Sequence, residues 1–388
     1  MSREPAPQAV VMGGIDVVRP LARAGVPCGV FAREDDIVRR SRRVVARLPW
    51  ADPYREPDRA VAILLAHAAT LLEPPVLYPP TDGMIVLASR RRDELGRSYR
   101  LPLADAELIE DLLDKRRFAA LAERAGLPAP RSAWLPAGAG AGGLDLRFPL
   151  VVKPLARGTG WQADDPYAKA MRVADGEALR QALDAAARTG TDLLAQELVP
   201  GPETRIESYH AYVDGGGSIA GEFTGRKVRT LPPSYGESSA LEITAEPDVA
   251  ALGRDVLERI GLRGVAKVDF KRDDASRLLV LEVNPRFNLW HFPGALAGVN
   301  LPALVHADLT GRPRPAVRPV RAGVRWSDPL MDVRSARASG MGLLRWAAWT
   351  ARCRAISGFA WDDPAPFLAG VVWPPVRKRL RRLVPAGS

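Results

Sequence analysis

Cysteine is scarce in this chain of 388 residues, where Cys28 and Cys353 are the only two. Two cysteines so far apart in sequence do not make a disulfide framework, so we expect a reducing, cytoplasmic environment. Apolar runs are also short, since none reaches the roughly 18 residues that a membrane-spanning helix needs. The N-terminal ten residues lack the apolar core of a signal peptide. The sequence therefore predicts neither a membrane span nor a secretion signal.

Acidic residues are outnumbered, because 45 Asp and Glu stand against 55 Lys and Arg, which gives a formal net charge of +10. Such a balance suits anionic ligands or an acidic surface. The chain has no zinc-ligand spacing, no aromatic and basic RNA motif and no DNA-reading helix, so we expect no nucleic-acid partner. Hydrophobic residues make up 47% of the sequence, which favours a globular protein of two or three domains.

Two common nucleotide fingerprints are missing as well, namely a complete G-x-G-x-x-G and the Walker motif. Residues 8–32 nevertheless read as strand, glycine turn, helix and strand, the opening of a parallel α/β layer. In this interpretation Gly13 and Gly14 form a tight turn between strand and helix. A short strand at Val76–Tyr78 and the helix after it complete an open-sheet first domain over residues 1–105.

The two lysines that could meet a phosphate come next in the chain. Residues 106–132 carry apolar side chains at helical spacing, and Lys115 lies near the start of the second predicted helix. It is either exposed or adds charge to a bound phosphate. Lys153 ends a buried strand, and Gly158 and Gly160 follow in a loop where backbone amides can approach phosphate closely. An ordinary hairpin turn is the alternative for this loop.

A break after a predicted strand is a candidate site for a nucleotide base. The strand Leu193–Leu198 ends at Val199, and Glu197 and Glu203 flank the break. An extended edge can offer backbone groups to adenine, and a nearby acid can accept ribose hydroxyls. A polar strand terminus is the alternative interpretation.

Candidate substrate residues follow in two groups. Arg226, Lys227 and Arg229 come after a predicted strand and either hold a phosphate or substrate carboxylate, or form a solvated loop. Asn288 and His291 begin the segment after the last strand and are candidate pocket residues. A lone histidine is more often structural, and that alternative stays open for His291.

Residues 264–286 carry the most informative pattern and predict two strands around a turn at Asp273–Ser276. Alternation would place one set of side chains in the core: Ala266, Val268, Phe270, Leu279, Leu281 and Val283. With Arg272 paired to Arg277, the polar face brings acidic and amide side chains of the two strands together.

On that polar face Asp269 would lie diagonally from Glu282, with Asn284 beside them. Two carboxylates and an amide oxygen are the hard ligands that Mg²⁺ prefers, above all where phosphate oxygens complete its coordination. A half-solvated hairpin whose acids pair with lysines is the alternative.

The last part of the chain, residues 312–388, is rich in Arg and Trp. We expect a helical extension, with one amphipathic helix at Ser339–Ala355 and a basic amphipathic segment at Val376–Leu383. Basic amphipathic helices can lie on anionic membranes, which would give a peripheral membrane contact. Packing on the chain's own surface is the alternative.

Together, these segments resemble the ATP-grasp superfamily, in its carbamoyl-phosphate-synthase-like branch of predicted carboxylate–amine ligases, over about residues 8–311. The most specific match is V-D-F-K-R-D…L-L-V-L-E-V-N-P-R, supported by D-K-R-R-F, F-P-L-V-V-K-P and Q-E-L-V-P-G. The resemblance implies an α/β and α+β protein with a Rossmann-like pre-ATP-grasp domain at its N-terminus. It further implies an ATP-grasp domain over residues 106–311, whose small lobe (about 132–200) and large lobe enclose ATP.

The resemblance also implies roles for single residues. Asp269, Glu282 and Asn284 match the family's magnesium ligands, and Arg286 matches the position that steadies phosphate or an acyl-phosphate. The nucleotide-binding positions that it implies are Lys115 and Lys153 at the phosphates, Glu197, Leu198 and Val199 near the base, and Glu203 near the ribose. Asp82 stands where relatives often carry an Asp-Glu pair.

The chemistry implied by the resemblance is a two-step ligation that uses ATP and Mg²⁺. A small-molecule carboxylate attacks the γ-phosphate to give an acyl-phosphate and ADP, and an amine then displaces phosphate to form an amide. Lys153, Asn284 and Arg286 would be the catalytic residues. The alternatives are a carboxylase-type enzyme that activates bicarbonate, and a non-catalytic ATP-binding protein at a membrane surface. A homo-oligomer is compatible with the sequence.

Overall fold

The computed structural model describes residues 6–140, 142–155 and 170–372. Within these ranges the strands form three sheets, one of seven strands and two of four. In the described part of the chain, no helix combines the length and the apolar character needed to cross a bilayer.

The N-terminal sheet is parallel, with strand order β3-β2-β1-β4. Its strands are β1 Ala9–Val11, β2 Cys28–Phe31, β3 Val44–Leu48 and β4 Val76–Tyr78. Its helices are α1 Ile15–Arg23, α2 Pro57–Ala68, α3 Asp82–Arg90 and α4 Arg92–Leu95, with a 3-10 turn at Ile37–Arg40. Gly13 and Gly14 have φ values of 87° and 86°, which side chains other than glycine rarely tolerate. The predicted order of strand, glycine turn, helix and strand is confirmed.

Two short helices connect this sheet to the rest of the chain: α5 Ala106–Leu113 and α6 Lys115–Arg124. Each is capped by an aspartate, because Asp105 and Asp114 accept hydrogen bonds from the first free amides of their helices. Asp114 therefore ends one helix and starts the next, and this places Lys115 in the first position of α6.

The second sheet is antiparallel, with order β5-β8-β6-β7. Its strands are β5 Ser132–Leu135, β6 Leu150–Pro154, β7 Met171–Val173 and β8 Leu193–Glu197, and α7 Gly176–Arg188 covers one face. Leu179, Ala182, Leu183 and Ala186 recur at helical spacing and pack against the apolar side chains of β6 and β8. We call this layer the small lobe.

The third sheet has the order β13-β12-β9-β10-β11-β14-β15. Its strands are β9 Ile206–Val213, β10 Ile219–Leu231, β11 Glu237–Thr244, β12 Gly264–Arg272, β13 Leu278–Asn284, β14 Arg325–Ser327 and β15 Ala355–Ile356. The remaining helices are α8 Pro247–Arg259, α9 His291–Ala297, α10 Leu301–Leu309, α11 Pro329–Ala338, α12 Leu343–Thr350 and α13 Ala365–Phe367, with a 3-10 turn at Glu203–Arg205 and a π-helical turn at Leu368–Val372. We call this layer the large lobe.

Apolar packing joins the N-terminal domain to the large lobe. Side chains of β1 and α1 share one buried cluster with Phe287, Leu301 and Leu304. The hydroxyl of Tyr78, at the end of β4, donates to Pro302 O at 3.2 Å. This packing places the carboxyl end of the N-terminal sheet beside the end of β13.

The 264–286 hairpin differs from the predicted register. Arg272 pairs with Leu278 rather than Arg277, and a bulge places Asp269 directly opposite Glu282 instead of diagonally from it. The one-residue shift exchanges the faces of the second strand before the bulge, since Val280 is fully buried whereas Leu279 is only partly buried. Leu281, at the bulge, is also only partly buried. The core prediction is therefore wrong for those two leucines.

Two further expectations are corrected. Arg226, Lys227 and Arg229 lie within β10, which extends to Leu231 and pairs with β11, so they do not form a loop. Only Leu343–Thr350 of the predicted helix Ser339–Ala355 is helical, as α12, and Gly340, with a φ of 72°, follows the end of α11 instead.

The C-terminal extension is not only helical, because β14 and β15 add two strands to the large sheet. The basic segment Val376–Leu383 lies outside the described residues.

Candidate active site

A cleft of about 1610 Å³ lies where the N-terminal domain, the small lobe and the large lobe meet. Most of the residues predicted for a nucleotide site line it: Lys115, Lys153, Glu197, Leu198, Val199, Glu203, Lys227, Asp269, Glu282, Asn284, Arg286 and Asn288. The loop positions Gly158 and Gly160 lie outside the described residues.

Lys153 lies on the small-lobe side of the cleft, near the end of β6. Its ammonium donates to Gln196 Oε1 on β8 at 2.8 Å, and Gln196 Nε2 in turn donates to Ser132 Oγ at 3.1 Å. Burial lowers the pKa of Lys153, while the carboxylates of Glu282 and Glu203 act in the opposite direction. The cleft therefore holds a lysine that is fixed in position and poorly compensated by neighbouring carboxylates.

Lys115 approaches the same strand from the other side. It opens α6, and its ammonium donates to the carbonyl oxygen of Pro154, the residue after Lys153. Lys115 of α6 and Lys153 of β6 thus lie together at the end of one strand, where their positive charges can bind a polyphosphate.

The segment after β8 is tied back to the small lobe. The Leu198 amide donates to Pro149 O at 3.0 Å, and the Glu197 carboxylate accepts from the Arg147 amide at 3.0 Å. Burial acts to raise the pKa of Glu197, but the hydrogen bonds from Arg147 outweigh it and the pKa is lowered. Because the Leu198 N–H is engaged within the lobe, a nucleotide base would have to use another group of this segment.

Asp269 is the most enclosed acid of the cleft, with 1% of its surface exposed. Its Oδ1 accepts from Ser208 Oγ at 2.5 Å, and its Oδ2 lies 2.7 Å from Lys267 Nζ and 3.5 Å from Lys227 Nζ. Burial alone would raise the pKa of Asp269, but the two ammonium groups hold that pKa well below its usual range.

Glu282, Asn284 and Arg286 form a row at the end of β13. Asn284 Nδ2 donates to Glu282 Oε1 at 3.0 Å, and Arg286 Nη2 donates to Asn284 Oδ1 at 3.4 Å. Arg286 also forms an ion pair with Asp82 of the N-terminal domain at 2.5 Å. Glu203, across the cleft, forms an ion pair with Lys271 at 3.6 Å.

The donors of the hairpin fit magnesium in part. The described residues contain no cluster of three His, Cys, Asp or Glu side chains that could hold a metal, and the predicted set combines two carboxylates with an amide. Glu282 and Asn284 offer oxygens on an open part of the cleft, as a hard cation requires. Both oxygens of Asp269 are already engaged, so metal binding by Asp269 would require Lys267 to leave Oδ2.

Two residues proposed to contact substrate lie elsewhere. Arg226 pairs with Glu242 at 2.9 Å, and Arg229 forms a buried, two-pronged ion pair with Asp332. Arg226 is the direct neighbour of Lys227 and faces the opposite side of the strand. A bulge between Lys227 and Arg229 breaks the alternation, so only Lys227 of the three lines the cleft. Substrate binding by Arg226 and Arg229 is therefore not supported by their positions.

His291 is also removed from the cleft lining. It is fully buried, neither ring nitrogen has a hydrogen-bond partner in the described structure, and burial lowers its pKa to about 3. Its ring packs edge-on against Phe287 at 5.4 Å. The structural alternative is the better account of this histidine, whereas Asn288 does line the cleft and accepts the Trp290 amide at 3.0 Å.

Several cleft residues were not among the predicted site residues. Lys267, Ser208 and Gln196 contact Asp269 or Lys153 directly. Lys267 shares the polar face of β12 with Asp269, so period-two alternation was a usable signal for it. Ser208 and Gln196 are ordinary strand residues whose position depends on pairing between distant segments.

A family model described as "ATP-grasp in the biosynthetic pathway with Ter operon" matches residues 191–328. Solved structures share the fold of this chain over most of its length. An L-amino acid ligase from Bacillus licheniformis superimposes with a TM-score of 0.61 at 17% identity, over 83% of this chain and 79% of that one. The chain therefore has the ATP-grasp fold. A biotin carboxylase from Campylobacter jejuni superimposes with a TM-score of 0.62 at 14% identity. The match covers 82% of this chain and 74% of the carboxylase chain.

The curated proteins that this chain resembles include ligases. A D-alanine–D-alanine ligase from Xanthomonas axonopodis pv. citri is 27% identical over 49% of this chain and 61% of its own length. A D-aspartate ligase from Enterococcus faecium is 25% identical over 58% of this chain and 56% of its own. The matched region thus spans less than two thirds of these relatives.

Proposed function

We propose that this ATP-grasp protein is an ATP-dependent carboxylate–amine ligase, which forms an amide through an acyl-phosphate and releases ADP and phosphate. One observation carries the proposal: Lys153 of the small lobe and the row Glu282, Asn284 and Arg286 of the large lobe line a single cleft. The amino acid ligases among its curated relatives favour this reaction class.

The arrangement suits phosphoryl transfer, which depends mainly on positioning and on neutralising negative charge. Lys115 and Lys153 lie where they can bind the phosphates of ATP, and Glu203 lies on the side proposed for the ribose. Arg286 would hold the oxygens of the transferred phosphoryl group, because its guanidinium is fixed at the opposite wall by Asp82 and Pro80.

Magnesium is the metal that we expect at Glu282 and Asn284, with Asp269 as a third ligand. When bound, magnesium would supply positive charge that neutralises the charge developing on the phosphates. Lys227 and Lys267 keep Asp269 ionised, and they add positive charge to the same wall of the cleft.

The charges that line the cleft indicate the chemical class of the substrates. A substrate carboxylate is expected near Arg286 and Lys227, where cations line the wall. The amine would enter against the acyl-phosphate from the N-terminal side, where Asp16 and Asp36 line the cleft.

The first test is release of ADP from ATP and Mg²⁺ with pooled amino acids and small carboxylic acids, followed by mass spectrometry of the products. Glu282→Gln keeps the size of the side chain and removes one carboxylate, so we expect ADP release to fall about a hundredfold. Glu258→Gln is the matched control, since Glu258 is exposed on α8 and away from the cleft.

Equal rates for the two variants would contradict the proposed site. ADP release that depends on bicarbonate, with no amine in the product, would instead favour the carboxylase-type reaction. ATP binding without any ADP release under all substrate pools would favour a non-catalytic role.

A further inference from the structure

A second cavity of about 480 Å³ lies between the N-terminal domain and the C-terminal extension. It is close to the main cleft but separate from it. On α1, Asp16 lines the cleft and Arg19, one turn further along, lines the second cavity. On the other side, Trp290 lines the cleft, whereas Phe292 of α9 lines the second cavity.

Arg19 is the central polar residue of this cavity and is 3% exposed. Its Nη1 donates to Ile356 O of β15 at 3.0 Å, and its guanidinium carbon lies 5.2 Å from the centroid of the Phe292 ring. Its Nε and Nη2 are buried and have no hydrogen-bond partner in the described structure. A buried donor without a hydrogen-bond partner costs free energy of folding. A ligand that accepted hydrogen bonds from this edge of the guanidinium would remove that cost and bind more tightly.

The unpaired edge has a specific chemistry. Nε–H and Nη2–H point in parallel from one side of a guanidinium and match two oxygens of a carboxylate or phosphate. The same pair of nitrogens is in use elsewhere in this chain, where Arg229 Nε and Nη2 bind the two oxygens of Asp332 at 2.7 and 2.6 Å. Arg19 is thus held at Nη1 with the two-pronged edge directed to no protein group.

Other charges around the cavity leave it positive. Arg23 and Arg354 line it, and neither forms an ion pair with a carboxylate in the described ranges. Its two acids are already engaged by neighbouring groups. Asp362 pairs with Arg43, and Asp363 accepts from Ser41 Oγ at 2.6 Å as well as from the Arg42 amide.

The rest of the wall is apolar and aromatic. Phe292, Leu296 and Phe359 contribute to it, and Trp361 packs edge-on against Phe359 at a ring distance of 4.9 Å. The hydroxyl of Thr350 is buried beside them without a hydrogen-bond partner in the described part of the chain. The volume falls in the range of small-molecule sites, which runs from about 300 to 1,000 Å³.

We propose that this second cavity binds a small organic anion, a carboxylate or phosphate monoester with an apolar or aromatic body, through the Nε–Nη2 edge of Arg19. Arg23 and Arg354 add long-range attraction, and the aromatic wall covers the body of the ligand. The site does not depend on the proposed ligase reaction, because it shares no lining residue with the residues assigned to that reaction.

Isothermal titration with benzoate, phenyl phosphate and inorganic phosphate tests this site. The titrations use the full chain carrying Lys153→Met, which weakens anion binding in the main cleft. Arg19→Lys keeps the charge and loses the two-pronged geometry, so we expect the affinity for the aromatic anions to fall about tenfold or more. Arg59→Lys is the matched control, since Arg59 is exposed on α2, away from the cavity, and forms an ion pair with Glu56.

Arg354→Met provides a second variant on an exposed residue, and we expect it to weaken binding severalfold without changing the fold, as checked by circular dichroism. A preference for phenyl phosphate or for benzoate assigns the anion as phosphate or carboxylate. The proposal is overturned if neither aromatic anion binds, or if Arg354→Met and a folded Arg19→Lys variant bind as tightly as the parent. Stronger binding of inorganic phosphate than of both aromatic anions would also overturn it.

Discussion

Arg286 Nε donates to Asp82 Oδ1 at 2.5 Å, across 204 positions of sequence. The same guanidinium donates from Nη1 to Pro80 O at 3.1 Å and from Nη2 to Asn284 Oδ1 at 3.4 Å. One arginine therefore connects the first turn of α3 in the N-terminal domain with the proposed magnesium ligands of the large lobe. Its position in the cleft depends on both domains.

Replacement of Asp82 should show whether that connection matters for the reaction. In Asp82→Asn the charge partner of Arg286 is lost while the shape is kept, so Arg286 becomes less fixed. We expect kcat to fall about tenfold, with the KM for ATP changed by no more than about twofold. Steady-state ADP release measures both constants. Asp93→Asn, an exposed change on α4, serves as control, and an unaltered kcat in Asp82→Asn would count against a positioning role.

The lowered pKa of Lys153 predicts a pH effect. Burial lowers that pKa below the usual 10.5, so the ammonium loses its proton at a lower pH than an exposed lysine does. ADP release should therefore decline on the alkaline side as pH rises towards 10.5. Arg stays protonated in this range, so Lys153→Arg should move the decline to higher pH even if its rate is lower. Profiles of kcat/KM against pH compare the two, and superimposable alkaline limbs would contradict the assignment.

The buried His291 predicts a loss of stability in acid. Its pKa is lowered from 6.5 to about 3 in the folded protein, so below pH 6.5 the unfolded chain takes up a proton that the folded chain does not. The stabilisation is complete above pH 6.5 and is lost progressively as the pH falls towards 3, by up to about 1.4 kcal/mol per pH unit.

His291→Phe removes this titration and keeps an aromatic ring in the cluster. We expect its free energy of unfolding in urea to fall less steeply with decreasing pH than that of the parent chain. His67→Phe is a comparison at a partly buried histidine of α2. Identical pH slopes for His291→Phe and the parent would show that His291 carries a proton in the folded state.

The buried pair Arg229–Asp332 predicts a large effect on stability. Asp332 is fully buried, and the Arg229 guanidinium stacks over the Trp349 ring at 4.2 Å. Arg229→Met leaves a buried carboxylate without its partner, which should lower the free energy of unfolding by about 3–5 kcal/mol.

Adding Asp332→Leu to Arg229→Met should restore much of that loss, because both charges are then absent. Arg59→Met, which breaks an exposed pair with Glu56, should cost less than about 1 kcal/mol. Urea denaturation measures all of these variants. A cost for Arg229→Met as small as that of Arg59→Met would contradict the structural role of the pair.

Much of the fold could be predicted where the signal is local. The strand Val76–Tyr78 and the helix pair of residues 106–132 follow from apolar spacing, and the matches that carry the ATP-grasp resemblance are short contiguous motifs. Apolar side chains repeat every two residues in a strand and every 3.6 residues in a helix. These repeats involve residues close together in the chain, so they can be recognised from the sequence.

The errors have non-local causes. The bulge that places Asp269 opposite Glu282 adds one residue to β13, and nothing in the strand itself marks it. Arg229 resembles a solvent-exposed cation in sequence, but its partner Asp332 lies 103 positions away. His291 packs against nearby Phe287 and against His210 of the distant strand β9, which only the folded chain brings close to it.

The pairing of β14 with β11 has a practical consequence for shortened versions of the protein. Ala240, Leu241 and Glu242 are paired with Ser327, Trp326 and Arg325 in that order. Removal of residues 312–388 would therefore leave backbone amides and carbonyls of β11 without these partners. An uncovered strand of this kind is a template on which chains can add to one another and precipitate. A chain that ends at Phe367 would keep β14 paired with β11. We expect this version to stay monodisperse under conditions in which a chain that ends at residue 311 aggregates.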